Sequence, residues 1–499
     1  MRSWAWWLAG LGTLVGGCGS NGDAQDQGAG GQGGFGAFPA AGSPAFEPVP
    51  GCGNDLTEAG EACDGADLNG YTCATVATEL TSGTLACRPD CSGYDVSGCD
   101  AGGRTIEAPT CEQDDVQAAI DEAADGDVVL VPAGTCTWTS ADGCDGRVDC
   151  PPVVIVQKSI VLRGAGPSAT IIRSQVPESW QHATIYVDSA TDLPFRITGF
   201  RIDDVVGTAI RVDGTNRNFR IDDCVINPQP DSAINAVEVI DAATGVIDHC
   251  AFDTAEVIVL PDEDAAWDRP LTLGTEKAVY VEDNTFTNPG ELDDLVDGRS
   301  GARFVVRNNT WTNLELHCHG IEGGGSRGTH SYEIYGNTGI CDGNANCYRL
   351  AYLRGGTGVV FNNTWSGESP SGGELLVVHQ CAYLDTCEGF KACDAYPCHD
   401  QIGRTTDHNQ DGWQDLVPLF EWENTSNGED VDLAVQNDTY PIEDEYIQEG
   451  RDFYGDTVTF DPDTGCYEAS YTGDDGLTKS WRYRPYVEPH PLVQIAADL

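Results

Sequence analysis

"VYVEDNTF" at residues 279–286 returns as "FVVRNNTW" at 304–311, "YEIYGNTG" at 332–339 and "VVFNNTW" at 359–365. Upstream, "FRITGFRI" (195–202), "FRIDDCVI" (219–226) and "GVIDHCAF" (245–252) align on the same column. That column reads Phe200, Cys224, Cys250, Asn284, Asn309, Asn337 and Asn363, with successive spacings of 24, 26, 34, 25, 28 and 26 residues. Self-similarity at such a period marks a solenoid, in which each repeat buries its apolar face only against its neighbours. Short β-branched runs, polar bends and the lack of sustained helical periodicity make each repeat one turn of an all-β, right-handed parallel β-helix. Equivalent residues of adjacent turns then lie about 4.8 Å apart. At that spacing Asn284, Asn309, Asn337 and Asn363 stack as an internal amide ladder, followed by Thr285, Thr310, Thr338 and Thr364. Cys224 and Cys250 fall on adjacent turns, within disulfide reach.

Ahead of the repeats lies "CEQDDVQAAIDEAADGDVVLVPAGTCTW" (111–138). Val116, Ile120, Ala123 and Ala124 are at helical spacing after the capping candidates Asp114 and Asp115, and Gly126 ends the helix. A helix here covers the open end of the solenoid, which would otherwise offer an unpaired edge.

The first residues, "MRSWAWWLAGLGTLVGGC" (1–18), combine one positive charge, an apolar run too short to span a bilayer, and small residues before a cysteine. This is signal-peptide architecture. "LVGGC" resembles a bacterial lipobox, which implies lipidation of Cys18 and an extracytoplasmic protein anchored to the envelope or cell surface. Residues 19–50, rich in Gly, Ala, Gln and Pro, read as a flexible tether. The chain has 21 cysteines, a count suited to an oxidising compartment; without Cys18 the rest form an even set able to pair fully. The 80 acidic residues against 26 basic ones give a formal charge of −54. Such a surface repels nucleic acid and anionic lipid. Nothing in composition calls for more than a monomer.

Residues 51–100 hold Cys52, Cys63, Cys73, Cys87, Cys91 and Cys99 with few large aliphatics, so bridges must replace a core. "CGNDLTEAGEACDG" (52–65) resembles a short Cys-rich repeat of secreted bacterial proteins. Beyond it, "GDVVLVPAGTCTW" (126–138), "IVLRGAG" (160–166) and the asparagine-bearing turns resemble the pectate-lyase-like β-helix superfamily of secreted carbohydrate-active proteins. The resemblance implies a β-helix over 101–460, with 461–499 a tail packing on it, and an extended polysaccharide as partner in a surface groove. "RYRPYVEPHPL" (482–492) is similar to the ends of other secreted β-helix proteins.

Side chains of successive turns can meet in such a groove, so candidates are gathered across turns. Between residues 293 and 354 they are Asp293, Asp294, Asp297, Arg299, Arg303, His317, His319, Glu322, Arg327, His330, Arg349 and Arg354. Asp293 and Asp294, then "HGI" at His319, then "YRL" at Arg349 resemble the motif order of polygalacturonase-type hydrolases. That chemistry needs one protonated and one ionised carboxyl. The upstream Asn-Thr-Asp segment of those hydrolases is missing. "EGGGSRG" (322–328) followed by "YLRGG" (352–356) resembles calcium-assisted alginate-lyase-like β-helices, which implies Glu322, Arg327 and Arg354 as metal-binding acid, base and cation. Arginine does not readily give up its proton, so His317, His319 or His330 would have to replace Arg327 as base. The expected function is cleavage of an acidic polysaccharide by hydrolysis or elimination. The alternative is a non-catalytic binding or scaffold lipoprotein. Finally, Asp407, Asn409, Asp411 and Asp415 in "DHNQDGWQD", with Gly412 at the bend, have the spacing of a calcium loop.

Overall fold

The computed structural model describes residues 52–139, 154–156, 158–176, 183–189, 193–229, 234–261, 263–288, 294–321, 327–342, 349–367, 374–377, 397–408, 412–435 and 447–498. Cys18, the tether, Asp293, Glu322, Asn409 and Asp411 lie outside them.

Each repeat contributes one short strand to each of three sheets, for example 303–307, 310–312 and 315–318, before the next turn begins at 331. The sheets hold 12, 11 and 10 strands in that order around the coil, among the described residues. Neighbouring coil strands are parallel and in register, as Thr285, Thr310, Thr338 and Thr364 illustrate. This is a right-handed parallel β-helix.

One corner of the coil explains the repeated dipeptides. Asp223, His249, Asp283, Asn308, Gly336, Asn362 and Glu423 all have φ between 49° and 68°. The left-handed turn there sends the following side chain into the interior, and Asn, Asp and Gly tolerate it best. The following residues are Cys224, Cys250 and then the asparagines. Asn284 Nδ2 donates to Asn309 Oδ1 at 3.1 Å, Asn309 to Asn337 at 3.1 Å, and Asn337 to Asn363 at 2.9 Å. Asn363 in turn donates to Asn424 Oδ1 at 2.9 Å, a rung that a 61-residue separation hid from the repeat. Cys224 and Cys250 do occupy adjacent turns, but as buried thiols. In-register strands hold their Cβ atoms at the strand spacing, wider than the roughly 3.8 Å a disulfide needs. Cys318 is likewise a buried thiol, so the cysteines do not all pair.

The interior is built from columns. Val129, Leu162, Ile197, Ile221, Ile247, Val281, Val306, Ile334 and Val360 follow one another in register. Each is fully buried, a stabilisation of about 1.5–3 kcal/mol per side chain. Glu421 ends this column beside Val360. A second column carries Phe286, Trp311, Gly339 and Trp365. A Cβ on Gly339 would lie 2.5 Å from Trp365 and 2.9 Å from Trp311, so only glycine lets the two indoles close over it.

The capping helix spans Gln113–Glu122 and buries Val116, Ala119 and Ile120. It stops before Gly126: Ala123 is already extended, and Lys158 Nζ takes the terminal carbonyls of Ile120 and Asp121 at 2.9 and 2.8 Å. Asp114 and Asp115 sit inside the first turn, where they favour the positive end of the helix dipole, while Glu112 holds the cap position.

The Cys-rich module is cross-linked by Cys52–Cys91, Cys63–Cys87 and Cys73–Cys99, and Cys111–Cys136 ties the cap to the first coil. The module and the C-terminal segment cover the outer face of the 12-stranded sheet, where Tyr71, Tyr94, Tyr280, Trp481, Tyr486 and Leu492 share one apolar cluster. Polar pairs thread this seam. Buried Arg307 bonds Glu282 at 2.6 Å, Tyr335 Oη at 2.9 Å and the carbonyls of Tyr486 and Val487 at 2.9 and 3.0 Å. Gln494 Nε2 reaches the carbonyl of Ser92 in the module at 2.9 Å.

Candidate functional site

The site lies on the outer face of the 10-stranded sheet, on strands Asp294–Gly298, Glu315–Cys318 and Arg349–Leu353. Asp297, His317 and Tyr352 are direct cross-strand neighbours. Simple alternation would put Asp294 and Asp297 on opposite faces. The register shifts between Asp294 and Val296, and Leu295 and Val296 both point inward, so both aspartates face out. Arg349-Leu350-Ala351-Tyr352 repeats the same irregularity one coil further on from His317. On the middle strand alternation is regular: Cys318 is inside, and the rings of His317 and His319 stack outside it at 4.4 Å.

Two hydrogen-bonded chains result. His317 Nδ1 meets Asp294 Oδ2 at 2.9 Å. His319 Nε2 lies 3.0 Å from Asp297 Oδ1, and Arg354 Nη2 lies 2.5 Å from His319 Nδ1. Arg299 also pairs with Asp297. Arg349 grips Glu315 with two bonds of 2.7 and 3.0 Å and lies over the Tyr352 ring, 3.9 Å from its centre. Asp294 Oδ1, Asp297 Oδ1 and His317 Nε2 are buried without a hydrogen-bond partner among the described residues.

Proton affinities in this cluster diverge. Burial, then the charge of Asp297, pushes Asp294 up to about 7. Burial alone would raise Asp297 too, but the hydrogen bond and charge of His319, with Arg299, hold it well below the usual carboxylate range. Burial and the positive charges of Arg354 and His319 push His317 well below the ordinary imidazole value. Glu256, whose carboxylate lies within 4.8 Å of both aspartates, is pushed well up by burial and their charges. One carboxyl that keeps its proton beside one that does not is the arrangement acid–base catalysis uses.

Asp297, His317 and His319 also bring possible metal-ligand atoms within 4.8 Å of one another. Arg354 Nη2 lies against Nδ1 of His319 in this trio.

The structure thus brings together Asp294, Asp297, Arg299, His317, His319, Arg349 and Arg354 of the sequence candidates, and adds Glu256, Glu315 and Tyr352. Arg327 does not join them. Its guanidinium forms two 2.8 Å bonds to Asp400 and lies 4.8 Å from the centre of the Trp267 ring, buried. As a base it is doubly excluded, by its charge and by this partner. Gly355 shows how closely that corner is built, since a Cβ there would sit 2.7 Å from the Asp400 carbonyl. Arg303 caps the carbonyls of Ala266 and Arg269, and His330 is fully buried between Trp267 and Thr406. In the proposed calcium loop, Asp407 Oδ2 accepts the Gly412 N–H at 2.7 Å and Asp415 Oδ2 pairs with His408 Nδ1 at 2.9 Å.

No protein-family profile matches this chain, and no curated protein does. Among solved structures it is similar to an alginate lyase from Paenibacillus sp. str. FPU-7, at 14% identity and a TM-score of 0.39 over 67% of this chain and 98% of the other. The A-module of an Azotobacter vinelandii mannuronan C-5 epimerase matches at 14% identity and 0.37, over 66% and 88%. An Erwinia chrysanthemi pectin methylesterase matches at 11% and 0.30, over 69% and 95%.

Proposed function

We propose that this protein is an extracytoplasmic enzyme, lipid-anchored through Cys18, that cleaves an acidic polysaccharide bound along the outer face of the 10-stranded sheet. The observation that carries the reading is the meeting, on one face, of Asp294 and Asp297 with opposite proton affinities, of His317 hydrogen-bonded to Asp294, and of His319 at 3.0 Å from Asp297. Arg354, beside Tyr352, supplies positive charge for a uronate carboxylate, while Arg349 is held by Glu315. Disulfides in the module and the cap suit an oxidising compartment. Calcium at Asp407, Asn409, Asp411 and Asp415 belongs to this proposal as a structural ion.

The test is a panel of acidic and neutral polysaccharides, with and without calcium. New reducing ends report hydrolysis, and ultraviolet absorbance of an unsaturated sugar reports elimination. A wild-type protein that releases neither product, yet is retained on a polysaccharide column, would be a binding protein, and the enzymatic reading would be wrong.

A further inference from the structure

Asp294 and His317 form one hydrogen-bonded unit with two open ends. Oδ2 and Nδ1 face each other at 2.9 Å, while Oδ1 and Nε2 are buried and make no hydrogen bond among the described residues. Asp297 sits beside His317 in the sheet, but its contacts go to His319 and Arg299, leaving those two ends unclaimed. We propose that Asp294 and His317 act as a single neutral proton relay that cleaves a uronide chain by elimination across one face of the sugar ring. This rests on the enzymatic reading above and deepens it.

The step balances as follows. His317 Nε2 removes the hydrogen at C-5, next to the uronate carboxylate, and its bonding electrons form the C-4–C-5 double bond. The C-4–O bond breaks, and the departing oxygen takes the proton of Asp294 Oδ1. The Nδ1 proton of His317 moves to Asp294 Oδ2. The pair stays neutral throughout and returns to its first tautomer by proton exchange with water. Carbanion character at C-5 is eased by positive charge at the carboxylate, for which Arg354 is the neighbouring cation.

Geometry restricts the substrate. Both open ends belong to one short unit, so acid and base approach the ring from the same side. Inverting hydrolysis needs them on opposite sides with a water between, and exchange of configuration at C-5 needs a base on one face and an acid on the other. The relay suits uronides whose C-5 hydrogen and C-4 oxygen share a face, as in β-mannuronate, and disfavours guluronate and galacturonate, where they are opposed. The groups facing the pair are Asp297, Glu256, His319, Arg299, Arg349 and Arg354. Their balance keeps a proton on Asp294 and none on the second nitrogen of His317 in weak acid, so activity should decline as pH rises through about 7.

The experiment uses the purified full chain with three probes: mannuronan, polyguluronate and polygalacturonate, in water enriched in oxygen-18. The expected result is an ultraviolet-absorbing product from mannuronan that carries no label, with the other two polymers cleaved at least tenfold more slowly. Asp294→Asn and His317→Gln should each lower kcat about a hundredfold or more, with KM within about threefold of wild type. The wild-type label and polymer preference decide the matter even where a variant fails to fold. Preference for polyguluronate or polygalacturonate, labelled reducing ends, or wild-type kcat in Asp294→Asn would each overturn the relay. Hydrolysis of a different polysaccharide with these three untouched would overturn the relay and leave the enzymatic reading intact. Inactivity on every polymer would remove both.

Discussion

Glu421 provides a quantitative test of how the last coil is closed. It extends the aliphatic column below Val360, is 1% exposed, and has one carboxyl oxygen that accepts from Asn424 Nδ2 at 3.1 Å. The other oxygen is buried and makes no hydrogen bond among the described residues. Burial, with the nearby charges of Asp456 and Asp432, pushes its carboxyl from 4.5 up to about 8. The folded protein therefore keeps this proton up to about pH 8, whereas the unfolded chain loses it near pH 4.5. Folding takes up a proton between those limits, so the stability linked to Glu421 is fully present below pH 4.5 and is lost as pH rises through 8. A shift of this size corresponds to roughly 5 kcal/mol at most, and about 2–5 kcal/mol once water penetration is allowed for. Glu421→Gln keeps the shape and an acceptor for Asn424 but cannot ionise. Urea unfolding of the two proteins should give nearly equal midpoints at pH 4 and a variant more stable by about 2–5 kcal/mol at pH 9. Asp294, Glu333 and Glu61 also bind protons on folding but are shared by both proteins, so they cancel in the difference. A gap that does not change with pH, or a variant less stable at pH 9, would refute the argument.

Asn309→Ala should cost about 2–4 kcal/mol in denaturant unfolding. It strands the buried Asn284 N–H, now bonded to Asn309 Oδ1 at 3.0 Å, and the ladder donor behind it; a cost below about 0.5 kcal/mol would show that the amide ladder is dispensable. Asp400→Ala should destabilise by about 3–5 kcal/mol, because it leaves the buried Arg327 guanidinium uncompensated. Calcium should raise the thermal midpoint of the wild type but not of Asp411→Ala, measured by calorimetry against an EDTA-treated control; equal responses would remove the loop as an ion site.

The sequence by itself determined the solenoid. Stacking in register forces chemically matched residues to recur once per turn, so the Asn284 to Asn363 column and the amphipathic cap at Val116 and Ile120 were readable from spacing alone. The disulfide-dense module was readable for a related reason: fifty residues with few aliphatics have little else to hold them. Other features depended on what the chain does between or across repeats. Asn424 lies a full insertion beyond Asn363, so its place in the ladder follows from the return of the chain to the coil. Whether Cys224 and Cys250 bridge depended on the separation of their Cβ atoms in the folded coil, which is wider than a disulfide needs. The two glycine-rich histidine and arginine motifs near residues 317–328 and 349–356 looked equivalent as text, yet folding separates them. His317, His319, Arg349 and Arg354 project from strands of one sheet, while Arg327 lies past the corner, where Asp400, supplied by an excursion some seventy residues later, captures it. Asp294 and Asp297 share a face only because an irregular residue between them reverses the alternation of the strand. Recurrence along the chain reports what must stack, whereas side-chain direction is set by bulges and by partners distant in sequence, which only the folded coil brings into contact.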